Sequence, residues 1–263
     1  MGVNTIEKLG NITLDTIESI GRIVLFFLKG ATRIFIRPYQ LDKVVDHTWF
    51  IGAKSVFVIL LTGLFTGMVL GLQGYYTLVT FGSEAALGSA VALTIIRELG
   101  PVLCAIMITA RAGSAMAAEI GVMRISEQID ALKTMQIDPI RFLFSPRIVA
   151  SLICFPLLTA IFDVVGIFGG YLTGSWVLGM NQAVYMDKVI ASVQMIDIAG
   201  GFLKSFVFAI VVTTICCYCG YHTHLSTSAG HGAKGVSMAT TKSVVQSCIY
   251  ILIFDYIITY FLV

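Results

Sequence analysis

Charge is what this chain has least of. Only 12% of its 263 residues are Asp, Glu, Lys or Arg, while 57% are hydrophobic, and the mean hydropathy is +0.90. A water-facing domain carries about a quarter charged residues. The shortage excludes an ordinary soluble surface and leaves lipid as the main solvent. A net charge of +2 is too small to suit nucleic acid. The phosphate-binding pattern GxxxxGK[ST] is missing, which excludes ATP hydrolysis by that route; GFLKS at 201–205 and GAKGVS at 232–237 lack its glycine spacing. Histidine is rare, four in all, and none falls inside a predicted span to activate an intramembrane serine. His222, His224 and His231 gather in one polar segment with Ser226, Thr227 and Ser228, but no carboxylate or cysteine outside the membrane completes a zinc set. That segment reads as a solvated loop. The first fifteen residues lack a short apolar core with a cleavage site, so no secretory signal is expected. Ile6 stands where a myristoylation signal needs Ser or Thr. The six cysteines, at 104, 154, 216, 217, 219 and 248, lie almost entirely in apolar runs and are expected to pack as small hydrophobes. No catalysis, metal or cofactor is expected in this chain.

What remains is a pattern of long apolar runs. At about 20 residues per crossing the length suits five or six spans and no further soluble domain. Residues 14–37 mix apolar positions with Asp15, Glu18, Arg22, Lys29, Arg33 and Arg37. That segment is too polar to cross and is expected to be an amphipathic helix at the membrane surface, ended by Pro38. Five spans are predicted, over Trp49–Tyr75, Ala85–Ala110, Ile148–Leu178, Gly201–Tyr221 and Ser243–Val263. With the N-terminus inside, segments 1–54, 111–147 and 222–242 hold seven, five and two basic residues; the outside segments hold only Lys188. The positive-inside bias therefore predicts a cytoplasmic N-terminus and a C-terminus on the opposite side.

Three features bear on mechanism. Gly63, Gly67 and Gly71 in the first span, and Gly166, Gly170 and Gly174 in the third, make GxxxGxxxG stripes. Such stripes admit close backbone approach, either within one subunit or at a dimer contact or moving interface. Arg97, Glu98, Asp163, Lys204 and Asp255 fall within predicted spans, where each ionised group costs about 2.5–3.5 kcal/mol at the bilayer centre. They are expected to face a bundle interior, either as a structural ion-pair network or as a polar spot in a substrate cavity. Adjacent on a helix, Arg97 and Glu98 point about 100° apart. Ile125, Ile129 and Leu132 recur at helical spacing, with Arg124, Glu127, Asp130 and Lys133 on the other faces. This predicts an amphipathic helix ended at Asp138-Pro139, either resting on the membrane or docking a soluble partner.

Several stretches carry a resemblance: TGMVLGLQGY (66–75), IIRELGPVL (95–103), ARAGSAMAAEIGVMRISEQIDAL (110–132), DPIRFLFSPR (138–147) and SAG (228–230). From about residue 50 onward the chain resembles the MlaE family, the permeases of MCE-type ABC lipid transport systems. The resemblance implies an all-α integral membrane fold, with an N-terminal amphipathic interfacial helix, five transmembrane helices and a cytoplasmic coupling helix. It implies one permease domain over 1–263, with residues 1–48 as the cytoplasmic or interfacial segment, 49–263 as the bundle and 111–147 as the coupling region. It further implies a homodimer in a Gram-negative inner membrane, moving phospholipid between that membrane and the periplasmic route to the outer membrane and so maintaining lipid asymmetry. Partners would be cytoplasmic ATPase subunits that bind ATP and Mg, a periplasmic hexamer of MCE lipid-binding domains and, often, a small STAS-domain subunit. Glu119, Arg124, Glu127 and Gln128 would form the ATPase-docking element. Leu70, Leu78, Phe81, Arg97, Glu98, Leu99, Lys204 and Asp255 would line the lipid cavity. Phe81 stands where some relatives have Tyr, which removes a hydroxyl. The physical reading agrees, since an amphiphile needs mostly apolar walls with a few polar groups, and Arg97 with Lys204 suits a phosphate. Two other classes remain open: an ion-coupled carrier relaying protons through Glu98, Asp163 and Asp255, and a membrane anchor for a soluble complex.

Overall fold

In lipid every backbone N–H and C=O must find its partner within the chain, so an apolar chain with this pattern folds as helices. A computed structural model describes residues 2–34, 40–223 and 232–262, and these contain helices and no strands. Five helical stretches are long and apolar enough to cross a membrane: Leu41–Thr80, Glu84–Ile125, Pro139–Val177, Met195–Tyr221 and Ala233–Leu262. They make the protein the all-α integral membrane type that its composition calls for. The long amphipathic helix α1 (Gly2–Ile34) is not among them. It packs against the start of the third crossing and the end of the fourth through Phe26, whose ring meets those of Phe144, Tyr218 and Tyr221 edge-on or tilted.

The crossings are longer than their sequence limits. The first is built from α2 (Leu41–Ile51) and α3 (Val56–Thr80), joined by a 3-10 turn at Ala53–Ser55. It therefore starts well before Trp49 and carries His47 on helix. The second joins α4 (Leu87–Thr94), α5 (Gly100–Ile108) and α6 (Ser114–Ile125) through two π-helical turns, Ile95–Leu99 and Thr109–Gly113. Its 42 residues extend about 63 Å at 1.5 Å per residue, roughly twice the hydrocarbon thickness. The expected end at Ala110 is thus overrun by a full α6, whose Met116, Ala117, Ile120 and Gly121 are buried.

Beyond Ile125 the expected amphipathic helix is broken. The chain turns at Ser126, Glu127 takes a left-handed conformation (φ 58°), and only the short α7 (Gln128–Thr134) follows. Burial explains the break, because the turn drives Ile129 into a core with Phe26, Ile120, Phe144 and Cys217, while Ile125 stays exposed. Then α8 (Pro139–Leu172) starts with Pro139 in its first turn and the Asp138 carboxylate accepting from the Ile140 N–H (3.1 Å), a favoured start for a helix.

The glycine stripes meet each other. Gly63, Gly67 and Gly71 of α3 face Phe162, Gly166 and Gly170 of α8; a Cβ at Gly67 would collide with the Gly166 carbonyl, and one at Gly71 would sit 3.1 Å from Gly170. The stripes seal a seam inside one subunit, the first of their two readings. Between the third and fourth predicted spans lies a helix, α9 (Gln182–Ser192), whose Tyr185 is fully buried and donates its hydroxyl to the Ile167 carbonyl (3.2 Å). The last two crossings are α10 (Met195–Tyr221) and α11 (Ala233–Leu262). The apolar windows of the two are 61% and 11% buried, so α10 is central and α11 peripheral.

Candidate functional site

Lys204 is the focus of the polar interior. It sits roughly 14 Å along α10 from Met195 by helix rise and is only 1% exposed. Its Nζ donates to Glu98 Oε2 (2.6 Å), Thr259 Oγ1 (2.7 Å) and the Arg97 carbonyl (2.8 Å). Asp255 Oδ1 lies 3.0 Å away as an ion pair but out of line for a hydrogen bond. An ammonium has three protons to give, and here all three are committed. Thr259 in turn donates toward Glu98 (3.2 Å to Oε1), so the second crossing, α10 and α11 are tied at one point.

Arg97 is placed differently. Its Nε donates to Asp197 Oδ1 (2.8 Å), yet 53% of its side chain is exposed while Asp197 is nearly buried. Asp197 is itself held at the start of α10, accepting from the Gln194 N–H (3.0 Å). Both Arg97 and Glu98 lie in the π turn Ile95–Leu99. That wider turn lets neighbouring side chains both reach α10, one at its rim and one a turn and more deeper; π turns recur at functional sites for this reason. Together Arg97, Glu98, Asp197, Lys204 and Thr259 line a pocket of about 750 Å³ with Ile196, Gly200, Gly201 and Leu262.

The structure thus brings together Arg97, Glu98, Lys204 and Asp255, and adds Asp197 and Thr259, which sequence reasoning passed over. A signal for Asp197 was present: Gln194-Met-Ile-Asp197 before an apolar run has the spacing of a helix start. The apolar candidates lie elsewhere. Leu70 and Leu78 are half-buried against the main core, Phe81 is exposed just past the end of α3, and Leu99 is half-buried at the end of the π turn. None of the four lines this pocket. Asp163 stands apart, its buried Oδ1 set against Gly100 without a hydrogen-bond partner.

At the other end of the bundle, Glu119 pairs with Arg147 of α8 (2.8 Å). Arg124 of α6 pairs with Asp130 of α7 (2.9 Å), as does Lys133 (2.9 Å). Those hydrogen bonds, from Lys133 first and Arg124 next, hold the Asp130 carboxyl below its ordinary value. Glu127 and Gln128 are exposed at the turn. Within the histidine segment, the His222 ring packs tilted against Tyr218 and edge-on against Tyr221, while His224 and His231 lie outside the described residues, as does SAG at 228–230.

Five apolar crossings, a sealed glycine seam and ionised groups paired between helices define a polytopic membrane protein. The family model described as Permease MlaE matches residues 44–261. The chain belongs to the MlaE permease family and is an ABC transporter permease. It is 40% identical over 264 residues to the "intermembrane phospholipid transport system permease protein MlaE" of Haemophilus influenzae, covering 98% of this chain and 97% of that one. It is 39% identical over 259 residues to a "probable ABC transporter permease protein" of Rickettsia bellii, covering 98% of both. It is also 36% identical over 241 residues to "Protein TRIGALACTOSYLDIACYLGLYCEROL 1, chloroplastic" of Arabidopsis thaliana, covering 92% of this chain and 65% of the plant protein.

Proposed function

We propose that this chain is the transmembrane subunit of an ATP-driven transporter moving phospholipid between the inner membrane and the periplasmic route to the outer membrane, and so maintaining lipid asymmetry. The observation that carries the reading is the division of labour between two cations. Lys204, with every proton committed, braces three helices. Arg97, oriented through Nε by Asp197 and half open to the pocket, is left to meet a phosphate. The Haemophilus relative, named for phospholipid transport, supports the same cargo. In this reading Glu98 and Asp255 neutralise Lys204, and the apolar Leu70, Leu78, Phe81 and Leu99 contribute chain-facing wall when two copies associate as a homodimer.

ATP and Mg belong to a separate ATPase subunit in this reading, and nothing in this chain hydrolyses. Glu119, Arg124, Glu127 and Gln128 form the docking region, with Glu127 and Gln128 at its exposed tip and the Arg124–Asp130 pair holding the tip's shape. The N-terminus faces the cytoplasm and the C-terminus the periplasm. An MCE-domain hexamer receives the lipid, with a STAS-domain subunit among the partners. A proton-relay carrier is the weaker reading, because Glu98 and Asp255 both spend their charge on Lys204 while Asp163 stands apart from them.

The test is lipid carried through purification, counted by mass spectrometry. Arg97→Ala is expected to lower phospholipid per chain, whereas Arg124→Glu with Glu127→Lys keeps the lipid and loses the co-purifying ATPase. Unchanged lipid in Arg97→Ala overturns the head-group assignment, and unchanged ATPase retention overturns the docking assignment.

A further inference from the structure

A second amphiphile-shaped site lies at the opposite end of α10 from Lys204. Between α1, α10 and α11 runs an open groove of about 610 Å³, walled by side chains such as Val24, Phe27, Ile210, Ile215, Tyr250 and Phe254. Its walls are almost wholly apolar. Beside it lies a polar pocket of about 880 Å³ containing Arg22, Tyr218, His222, Lys242 and Gln246. Ile23 lines both, so the two adjoin, an oily stretch next to a basic mouth. Tyr218 lies roughly 21 Å from Lys204 by helix rise, which sets this mouth near the other face of the membrane.

Two cations open onto the mouth. Among the described residues Arg22 pairs with Glu18, one turn back and 3.7 Å away, on an exposed stretch where such pairs are weak. Lys242 is exposed and makes no ion pair among the described residues. Among the described residues Glu18 is the one acidic group paired there, so the balance at the mouth favours an anion. From the placement of the groove beside a basic mouth, we propose that it holds a resident anionic phospholipid, its acyl chain between α1 and the bundle and its phosphate between Arg22 and Lys242. The lipid completes the wall between α1 and α10–α11. Phe26 anchors one side of α1 directly, and the acyl chain fills the other. This site is separate from the pocket at Arg97 and stands whether or not that pocket carries cargo.

The probe is phosphatidylglycerol bearing a photoactivatable diazirine in its acyl chain, irradiated with the full chain in phosphatidylcholine nanodiscs. Peptide mass spectrometry should place adducts on the segments holding Phe27, Ile210 and Tyr250. Labelling there should fall about fivefold for each cation lost in Arg22→Ala and Lys242→Ala, relative to adducts on the lipid-exposed Leu157 segment. Arg97→Ala should leave it unchanged, which separates this site from the proposed cargo site. A diazirine phosphatidylcholine should label the groove several-fold less, a comparison on the wild-type chain that needs no variant to fold. Equal labelling by the two lipids, or no loss in the double variant, overturns the proposal. So does cross-linking of the groove to a co-purifying polypeptide, since a protein helix would then be its occupant.

Discussion

Two buried cations stand at opposite ends of the bundle, and they are satisfied in opposite ways. Lys204 gives its three protons to three oxygens and has a second carboxylate beside it. Arg147 is equally buried but is held by the Leu143 carbonyl (2.7 Å) and by Glu119, whose side chain is half exposed, and its Nε has no partner among the described residues. The first is a closed knot that three helices share. The second depends on one half-exposed carboxylate in the middle of α6, about two helical turns before Glu127. The contrast teaches where each end can move: charge at the Lys204 end is locked into the fold, while charge at the Arg147 end is one bond away from rearrangement.

The strongest way to break this contrast is at the knot. Lys204→Met leaves Glu98 and Asp255 facing one another without a counter-ion, and removing one partner of a buried pair costs about 3–5 kcal/mol. The variant should therefore show a much lowered thermal midpoint in detergent. Glu119→Ala is next. It strips Arg147 of its carboxylate but leaves the Leu143 carbonyl, for a loss of about 1–3 kcal/mol and faster amide exchange in α6 than in α10. Arg97→Ala should move stability by no more than about 1 kcal/mol, as expected for a half-exposed pair, even as it lowers bound lipid. A midpoint falling as far as in Lys204→Met would make Arg97 part of the knot and end the division between brace and head-group contact. The smallest effect concerns acid. Asp130 has its folded value below the ordinary 3.8, so its tie between α6 and α7 is fully present above that value and is lost as pH falls through the folded one. Amide exchange in α7 should hold steady down to about pH 4 and quicken only below it; quickening near pH 6 would assign the tie to another group.

Much of this was legible in the residues. The five crossings, the surface helix and the Arg97, Glu98, Lys204 and Asp255 set follow from hydropathy and from the cost of charge in hydrocarbon. Other parts were not. Asp197 and Tyr185 lie in a stretch polar enough to read as loop, and only packing against α4 and α8 makes α9 a helix. Thr259 carries no charge, so nothing in the last crossing distinguishes it from other small polar residues until Lys204 is seen beside it. The Ile125, Ile129 and Leu132 spacing suggested one continuous helix, but periodicity reports which residues prefer burial, not whether one axis can bury them all. Ile129 reached the core only by a left-handed turn at Glu127.

Composition and hydropathy alone determined that this chain lives in lipid, crosses five times and must neutralise its few ionised side chains against one another, because a bilayer offers no water to do it. Which carboxylate meets which cation was decided only in three dimensions. Helix crossings and the π turn at Ile95–Leu99 set distances that residue spacing does not encode, and those distances leave Arg97 partly open while Lys204 is fully spent.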